Sequence, residues 1–307
     1  MAEILFEDPA DAEDETAKLS VLVQDIIAGG IAGSAGIFAG HPLDTLKVRL
    51  QLPSSKNQGV PKGHSGLFRG LAAPLSTAAL VNATSFTTVR LSCRIWDKHY
   101  SYEDHPDNRN IFSVHRTIRN FNSGFIAGLL SSFWLAPSEH VKVRLQASSS
   151  LTAQPIYRGS IHAAQQILHS HGISGLYRGM TATCLRQAPG FGVYFAVYEP
   201  VKEYFLQNGE QSIYFSSILA GGFAGSLSWA VIYPIDVIKS RVQTAPLDAP
   251  WSHRSMAAIT RRIFEINGGR SLYRGVVLTV IRAFPVNAII FSVYELSLEH
   301  LLSRHHL

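Results

Sequence analysis

A motif that occurs three times at nearly equal spacing constrains the fold of this chain more than any other feature. HPLDTLKVRLQ begins at His41, APSEHVKVRLQ at Ala136 and YPIDVIKSRVQ at Tyr233. The prolines of the three copies stand at positions 42, 137 and 234, which are 95 and 97 residues apart. A fixed period of this kind indicates repeated units that bury their apolar faces against one another. We therefore predict three repeats, at residues 20–110, 111–210 and 211–307.

Each repeat contains a second marker, an aromatic-Arg-Gly triplet that follows the proline motif. The triplets are Phe68-Arg69-Gly70, Tyr177-Arg178-Gly179 and Tyr273-Arg274-Gly275. An apolar stretch precedes each proline motif and another follows each triplet, so we predict helix, loop and helix in every repeat.

Six apolar stretches are candidate membrane spans. The clearest is 70–89, which carries no charge and has the length that a helix needs to cross ~30 Å of hydrocarbon. The other spans are Val21–Gly40, Phe121–Ala136, Gly179–Tyr198, Ile213–Ile235 and Gly275–Val293. Only 16% of the residues are charged and 46% are hydrophobic, which is less charge than a soluble domain usually carries. We predict an all-α membrane protein with six transmembrane helices, arranged as three pseudo-threefold repeats of two helices around a central cavity.

Small residues recur at four-residue spacing in the first span of every repeat. The pairs are Gly29/Gly33, Gly36/Gly40, Gly124/Gly128 and Gly221/Gly225. This spacing lets membrane helices approach closely, and we expect helix contacts at these positions.

The charge balance and the cysteines exclude several classes of protein. The net charge of +5, together with the apolar spans, favours an anionic lipid surface over nucleic acid as partner. Cys93 and Cys184 are the only cysteines and have no CxxC spacing, so we predict neither a metal site nor a disulfide. The acidic start MAEILFEDPADAEDE is unlike a transit or signal peptide, so any organelle address must be internal.

The threefold Pro-x-acid-x-x-Lys-x-Arg motif, with its glutamine and the later aromatic-Arg-Gly triplet, resembles the mitochondrial carrier family over nearly the whole chain. LDTLKVRLQ, SWAVIYPIDVIKSRVQ and IRAFPVNA are similar to its carnitine/acylcarnitine and basic amino acid branch. The resemblance implies a multi-pass protein of the mitochondrial inner membrane with both termini on the intermembrane-space side. It further implies a monomer without cofactor, in contact with the bilayer and an anionic lipid such as cardiolipin. Its function would be to exchange a small carboxylate-bearing substrate, of amino acid or acylcarnitine type, by alternating access.

The motif acids and lysines are predicted to form a matrix gate, in which each acid pairs with a lysine of a neighbouring helix. The gate residues are Asp44, Lys47, Glu139, Lys142, Asp236 and Lys239. One turn beyond each lysine stands a glutamine that the resemblance assigns as a brace of the ion pairs: Gln51, Gln146 and Gln243. Charges that only snorkel to a membrane face are the alternative, but these would have no acid at a regular offset.

The chain departs from the family pattern at two places. The family's cytoplasmic-side network is incomplete, and we assign to it Arg90, Glu199, Lys202 and Glu295. Because Arg90 stands where an acid is expected, this gate should be weak. In the first repeat, only 18 positions separate Gln51 from Arg69, and about fourteen residues are missing compared with the other two repeats. Those repeats have amphipathic stretches in this loop, at 161–171 and 256–266, that read as surface helices. Either one surface helix is lost, or the sequence is an incomplete gene product.

Arg186 and Arg282 are the predicted centre of the substrate site. Each lies seven residues after the glycine that opens its span, and an ionisable residue inside a span usually faces a cavity. A guanidinium in such a place binds a carboxylate through two parallel hydrogen bonds. Pairing with a protein acid is the alternative, and it is disfavoured because the even-numbered spans hold no acid until Glu199 and Glu295.

Further polar positions complete the predicted substrate site. Thr77 stands at the offset of the two arginines, and Asn82 and Asn287 each lie twelve residues after the opening glycine, where helix packing explains them nearly as well. Gln187 occupies a place where the resembling carriers have an acid for a cationic nitrogen. A zwitterion, an acylated zwitterion or an oxoacid therefore fits better than a strongly cationic substrate. Trp229 resembles a residue of the acylcarnitine branch, and a role in core packing explains it equally well.

Three other hypotheses remain open. One is a carrier for dicarboxylates or oxoacids, and another is a carrier-like membrane protein that does not transport. An enzyme is the third, and it is disfavoured because the thirteen histidines form no HExxH or nucleophile-base pattern.

Overall fold

The computed structural model describes residues 15–51, 67–68, 71–100, 113–151, 157–208, 213–245, 250, 255–273 and 275–303. Within these ranges the secondary structure is entirely helical, as predicted. The helices are α1 (Glu15–Gln51), α2 (Ala72–Tyr100), α3 (Val114–Leu151), α4 (Ser160–Leu176), α5 (Met180–Gln207), α6 (Ile213–Thr244), α7 (Met256–Asn267) and α8 (Val276–Ser303), with a 3₁₀ helix at Gly269–Tyr273.

Six long helices form a closed ring. Each of α1, α2, α3, α5, α6 and α8 packs against the next in this order, and α8 returns to α1. The three helices that carry the proline motifs, α1, α3 and α6, also contact one another. The ring therefore encloses a central space in which the three motif segments meet.

Two short helices occupy the stretches that the sequence marks as amphipathic in the second and third repeats. Ala163 and Ile167 of α4 pack on Val141 and Leu145 of α3. In the third repeat, α7 packs in the same way on the motif segment of α6. In the first repeat the corresponding loop falls on residues 52–66, outside the described residues.

The backbone conformation at the end of the aromatic-Arg-Gly triplet explains why a glycine stands there in the second and third repeats. Gly179 has a φ of 84° and Gly275 a φ of 92°, in the left-handed region that residues with a Cβ rarely adopt. Gly179 is also the N-cap of α5. In the second and third repeats this glycine therefore lets the chain turn from the loop into the next long helix.

The outer surface of the ring is apolar, and small residues face inward. Along α6, Phe223, Leu227 and Val231 are exposed at four-residue spacing, whereas Ala220 and Ala224 are fully buried. By length and hydropathy, one helix among the described residues passes the test for a membrane span, namely α6 over Phe215–Thr244. Thr279–Tyr294 in α8 is a shorter apolar stretch. Inward-facing polar residues such as Arg186 lower the hydropathy of the helices that carry them.

Candidate functional site

The proline motifs bring three acids and three lysines together at one level of the ring. The pairs are Lys142–Asp44 with 2.8 Å between Nζ and Oδ2, Lys47–Asp236 with 2.7 Å between Nζ and Oδ2, and Lys239–Glu139. Each helix gives its lysine to one neighbour and its acid to the other, so the pairs close a cycle through α1, α3 and α6. We call these six side chains the ion-pair ring.

The ion-pair ring is largely shielded from water. Its side chains are between 4% and 24% exposed, with Lys239 the most buried and Asp44 the least. Shielding from water strengthens the attraction within each pair, but every ion also loses its hydration, which costs free energy. The net contribution of the pairs to stability is therefore small. Removing one partner alone is expensive, because the other is left as an unpaired charge.

The two predicted arginines bind to the ion-pair ring, and this corrects the reasoning from sequence. Arg186 Nη2 lies 2.9 Å from Glu139 Oε1, and Arg282 Nη1 lies 3.1 Å from Asp44 Oδ1. Arg186 Nε is also 3.8 Å from Asp236 Oδ1. The sequence disfavoured protein partners because α5 and α8 hold no acid nearby, but the acids come from the odd-numbered spans. Each of Glu139 and Asp44 thus serves one lysine and one arginine.

The charges at this level do not balance. Five cationic side chains, the three lysines and two arginines, face three carboxylates. Among the described residues that line the surrounding space, no further acid offsets the excess of two positive charges. In a partly dry environment such an excess favours the binding of an anion.

Two cavities meet at the arginines. The upper cavity, of about 250 Å³, lies among α5, α6 and α8 and is lined by residues such as Phe191, Tyr194 and Ser228. The lower cavity, of about 260 Å³, contains the ion-pair ring. Both cavities are lined by the same four side chains, Arg186, Gln187, Trp229 and Arg282. This shared wall is where a ligand in the upper cavity would meet the ion-pair ring.

Thr77 and Asn82, two further predicted substrate residues, do not line either of these cavities. Thr77 Oγ1 donates a hydrogen bond to Ser138 Oγ at 3.0 Å, and Thr77 lines neither cavity. Asn82 lies against Gly33 of α1, which corresponds to the helix-packing interpretation. The side chain of Asn287 lies outside those that the structure describes.

Two of the three predicted braces, Gln146 and Gln243, have side chains that the structure describes. Gln146 Nε2 donates to Thr45 Oγ1 at 2.9 Å, next to Asp44 in the chain, and Thr45 donates in turn to the carbonyl of Leu67 at 2.7 Å. Both amide atoms of Gln243 are buried, without a hydrogen bond to any described residue. The side chain of Gln51 lies outside the described part of the chain.

At the opposite end of the ring, the structure joins residues other than those predicted. Nη1 of Arg119 in α3 donates to both carboxylate oxygens of Asp97 in α2, at 2.9 and 3.0 Å. Arg116, one turn earlier, pairs with Glu203 of α5 at 2.8 Å. The only signal in the sequence was the presence of two arginines, one turn apart, just before the third span.

Three of the residues that the sequence assigned to this outer gate have described side chains, and these three are not paired with one another. Arg90, Glu199 and Lys202 form no ion pair with any described residue. The side chain of Glu295 lies outside the described set. Among the described residues, the ion pairs at this end are therefore Arg119–Asp97 and Arg116–Glu203, each between neighbouring helices.

Comparison with known proteins identifies the family. The family model for "Mitochondrial carrier protein" matches three times, at residues 19–99, 113–209 and 210–305. Together these matches cover most of the chain and coincide with the three helix pairs. The chain belongs to the mitochondrial carrier family. The family resemblance predicted from the repeated motif is confirmed.

Several members of the mitochondrial carrier family are similar to this chain over nearly their whole length. The chain is 34% identical over 293 residues to the mitochondrial arginine transporter BAC2 of Arabidopsis thaliana, covering 92% of each chain. It is 32% identical over 299 residues to the mitochondrial carnitine/acylcarnitine carrier protein of Homo sapiens, covering 91% of this chain and 94% of the relative. It is 33% identical over 290 residues to the mitochondrial basic amino acids transporter of Rattus norvegicus, covering 90% and 89%. These relatives confirm the predicted branch.

Proposed function

We propose that this mitochondrial carrier exchanges a small carboxylate-bearing metabolite across the inner membrane by alternating access. The observation that supports this most directly is the wall of Arg186 and Arg282, in which both guanidinium groups face the upper cavity while bound to carboxylates of the ion-pair ring. The excess of two positive charges at this level favours an anionic ligand.

A ligand carboxylate in the upper cavity would compete with Glu139 for Arg186 and with Asp44 for Arg282. If an arginine turns to the ligand, its acid loses one of two cationic partners, and the ion-pair ring is weakened at that acid. Binding of a ligand in the upper cavity would thereby lower the free energy that is needed to separate the ion pairs of the ion-pair ring. This is differential binding between two states, which is the requirement for a ligand-driven conformational change.

The six long helices are proposed to cross the membrane, with both termini on the intermembrane-space side. With 38 residues and a rise of 1.5 Å per residue, α3 is roughly 57 Å long, more than the ~30 Å of a hydrocarbon core. The exposed apolar faces, such as that of Phe223, Leu227 and Val231, suit contact with lipid tails. We propose a monomer, since the ring closes within one chain.

The substrate is proposed to be of amino acid or acylcarnitine type, as the names of the relatives suggest. Gln187 narrows this class. Its buried amide lines both cavities and can accept a hydrogen bond from an ammonium, but it brings no charge to balance a strong cation. A zwitterion or acylated zwitterion suits this wall, and a dicarboxylate or oxoacid is the second candidate because of the cationic excess.

An anionic lipid such as cardiolipin is a proposed partner at the level of α4 and α7. A third cavity, of about 380 Å³, lies where the start of α5 meets the start of α7 and is lined by Arg178, Gly179 and Ser255. Met180, Thr181 and Ala182 of the first turn of α5 also line this cavity, and a helix N-terminus together with an arginine attracts phosphate. Cardiolipin should raise the melting temperature of the purified protein, and Arg178→Ala should reduce that effect.

Exchange in liposomes tests the proposed function. Purified protein is reconstituted with an internal metabolite, and uptake of labelled amino acids, acylcarnitines, oxoacids and dicarboxylates is measured against liposomes without internal substrate. At least one class should exchange, and Arg282→Ala should abolish that exchange. Arg262→Ala is the matched control, since Arg262 is exposed on α7 and lines neither cavity. Folded wild-type protein that exchanges none of these metabolites would instead favour a carrier-like protein without transport.

A further inference from the structure

The ion-pair ring consists of three acid–lysine pairs, each of which we call a link. The link between Lys47 and Asp236 differs from the other two in what surrounds its lysine. Trp229, Tyr233 and Asp236 follow one another at spacings of four and three along α6, so they share one face of the helix. Lys47 of α1 reaches this face. Its Nζ lies 4.0 Å from the centroid of the Trp229 ring, 5.2 Å from that of Tyr233, and 2.7 Å from Asp236 Oδ2.

The ammonium of Lys47 is thus held by two aromatic faces and a carboxylate that all come from α6. An ammonium over a tryptophan face is attracted by the negative charge of the π system, and the attraction grows when water is excluded. The Lys47 and Asp236 side chains are only 9% and 10% exposed, so water is largely absent here.

The other two links lack this arrangement. Among the described residues, no aromatic ring lies over Lys142 or Lys239. The sequence explains why. Trp229 stands five residues before its motif proline, and the corresponding residues of the other repeats are Ile37 and Ser132. Within one chain, a link that has an aromatic side chain over its lysine can therefore be compared with two links that have none among the described residues.

We propose that Trp229 is a positioning residue of the ion-pair ring, which holds Lys47 on Asp236 and makes the link between α1 and α6 the one that most resists opening. This inference rests on the proposed function, in which the ion-pair ring is the matrix gate. Trp229 acts through Lys47 here, and its contact with any ligand is a separate matter.

The position of Trp229 also connects this link to the arginine wall. The guanidinium carbons of Arg186 and Arg282 both lie 5.7 Å from the Trp229 ring centroid, farther than the ammonium of Lys47. Three cations therefore lie near the indole ring of Trp229, and the ammonium of Lys47 is the closest of them. The charged groups that face Lys47 are Asp236, Asp44 and Arg282. Any test must separate the effect of the ring on Lys47 from its effect on the arginines.

A double-mutant cycle makes this separation. Trp229→Met keeps an apolar side chain but removes the π face, and Lys47→Met removes the cation. If the indole ring of Trp229 acts on Lys47, Trp229→Met should lower the melting temperature of the purified carrier by roughly 3 °C in the wild-type background. In the Lys47→Met background the same substitution should lower it by roughly 1 °C or less. Trp229→Phe should retain part of the effect, because it keeps an aromatic face.

Lys142→Met is the matched control background. Lys142 belongs to the same ion-pair ring, but no aromatic side chain of the described residues lies over its ammonium. There Trp229→Met should lower the melting temperature as much as in the wild type. If Lys47→Met leaves too little folded protein because Asp236 remains unpaired, Lys47→Met combined with Asp236→Asn removes both charges and serves as the background instead.

Equal losses in all backgrounds would overturn the inference, because Trp229 would then act only by filling space. So would Trp229→Phe behaving like Trp229→Met. The cycle is measured without transport. A wild-type protein that exchanges no metabolite therefore refutes the proposed function separately, whereas full exchange without coupling between Trp229 and Lys47 refutes this inference alone.

Discussion

Arg186 and Glu139 are joined by a 2.9 Å ion pair that connects the wall of the upper cavity to the ion-pair ring. Glu139 also pairs with Lys239 of α6, so one carboxylate contacts an arginine that lines the upper cavity and a lysine of the ion-pair ring. Arg282 and Asp44 repeat the relationship on the other side of the cavity. The proposed substrate site and the proposed gate are therefore physically continuous.

The first prediction concerns charge reversal in the ion-pair ring. Lys142→Glu should reduce exchange at least tenfold, because it places two acids together where a buried pair stood. Adding Asp44→Lys should restore part of the exchange. The recovery should be incomplete, since a lysine at position 44 would lie beside Arg282, which is 3.1 Å from the present carboxylate. Single and double variants that transport like the wild type would contradict the gate.

The second prediction concerns substrate preference at Gln187. An acid beside Arg186 would partly neutralise that arginine and attract an ammonium. A hydrogen bond to a charged group contributes about 1.5–3 kcal/mol, or roughly tenfold to a hundredfold in affinity. Gln187→Asp should shift exchange toward substrates with a strong cationic group and weaken exchange of oxoacids or dicarboxylates. Gln187→Asn is the control, since it changes size without charge. An unchanged ranking of substrates would mean that position 187 does not face the ligand.

The third prediction concerns access from the cytoplasmic side. Arg90, Glu199 and Lys202 form no ion pair with a described residue, whereas the ion-pair ring is fully paired. Without substrate, the upper cavity should therefore be open to the outside for much of the time. A cysteine at Val286, which lines that cavity, should react readily with an impermeant thiol reagent added outside, in a background with Cys93→Ser and Cys184→Ser. Full protection of this cysteine would rule the prediction out.

The fourth prediction concerns the close contact between α3 and α5. A Cβ added at Gly128 would stand 2.5 Å from the carbonyl oxygen of Gln187 and 2.7 Å from the Cα of Ala188. Both neighbours are backbone atoms, so the helices would have to move apart, and overpacking of this kind costs about 1–3 kcal/mol. Gly128→Ala should lower the melting temperature clearly. Gly30→Ala is the matched control, because nothing lies within 4 Å of its added Cβ. Equal effects of the two substitutions would show that the contact is loose.

Some of the site follows from sequence because the information is local and repeated. Asp44, Glu139 and Asp236 stand two residues after a proline in three equivalent places, and a lysine follows three residues later each time. Threefold repetition then predicts that acids and lysines meet, whatever the details of packing. The two arginines were found in the same way, from their offset after an opening glycine, whereas Gln187 was singled out by the resemblance to the family.

Other parts of the site depend on contacts that no local pattern encodes. Arg119 and Asp97 lie on different repeats, and their pairing follows from how α2 and α3 are rotated against each other. Gln146 reaches Thr45 across the interface of α3 and α1, although its position in the motif suggested a bond to an ion pair. The partners of Arg186 and Arg282 were missed because only the acids of their own and other even-numbered spans were considered.

The sequence by itself determined the three repeats, the helices and the residue types at the site, since repetition and apolar periodicity are properties of the chain read in order. The tertiary structure decided which charge meets which. It placed Lys47 between Trp229 and Asp236 and gave Glu139 and Asp44 an arginine each. The physical reason is that the strength of an ion pair or a cation–π contact depends on distances of a few ångströms and on the exclusion of water. Both are fixed only when helices that are remote in sequence pack side by side.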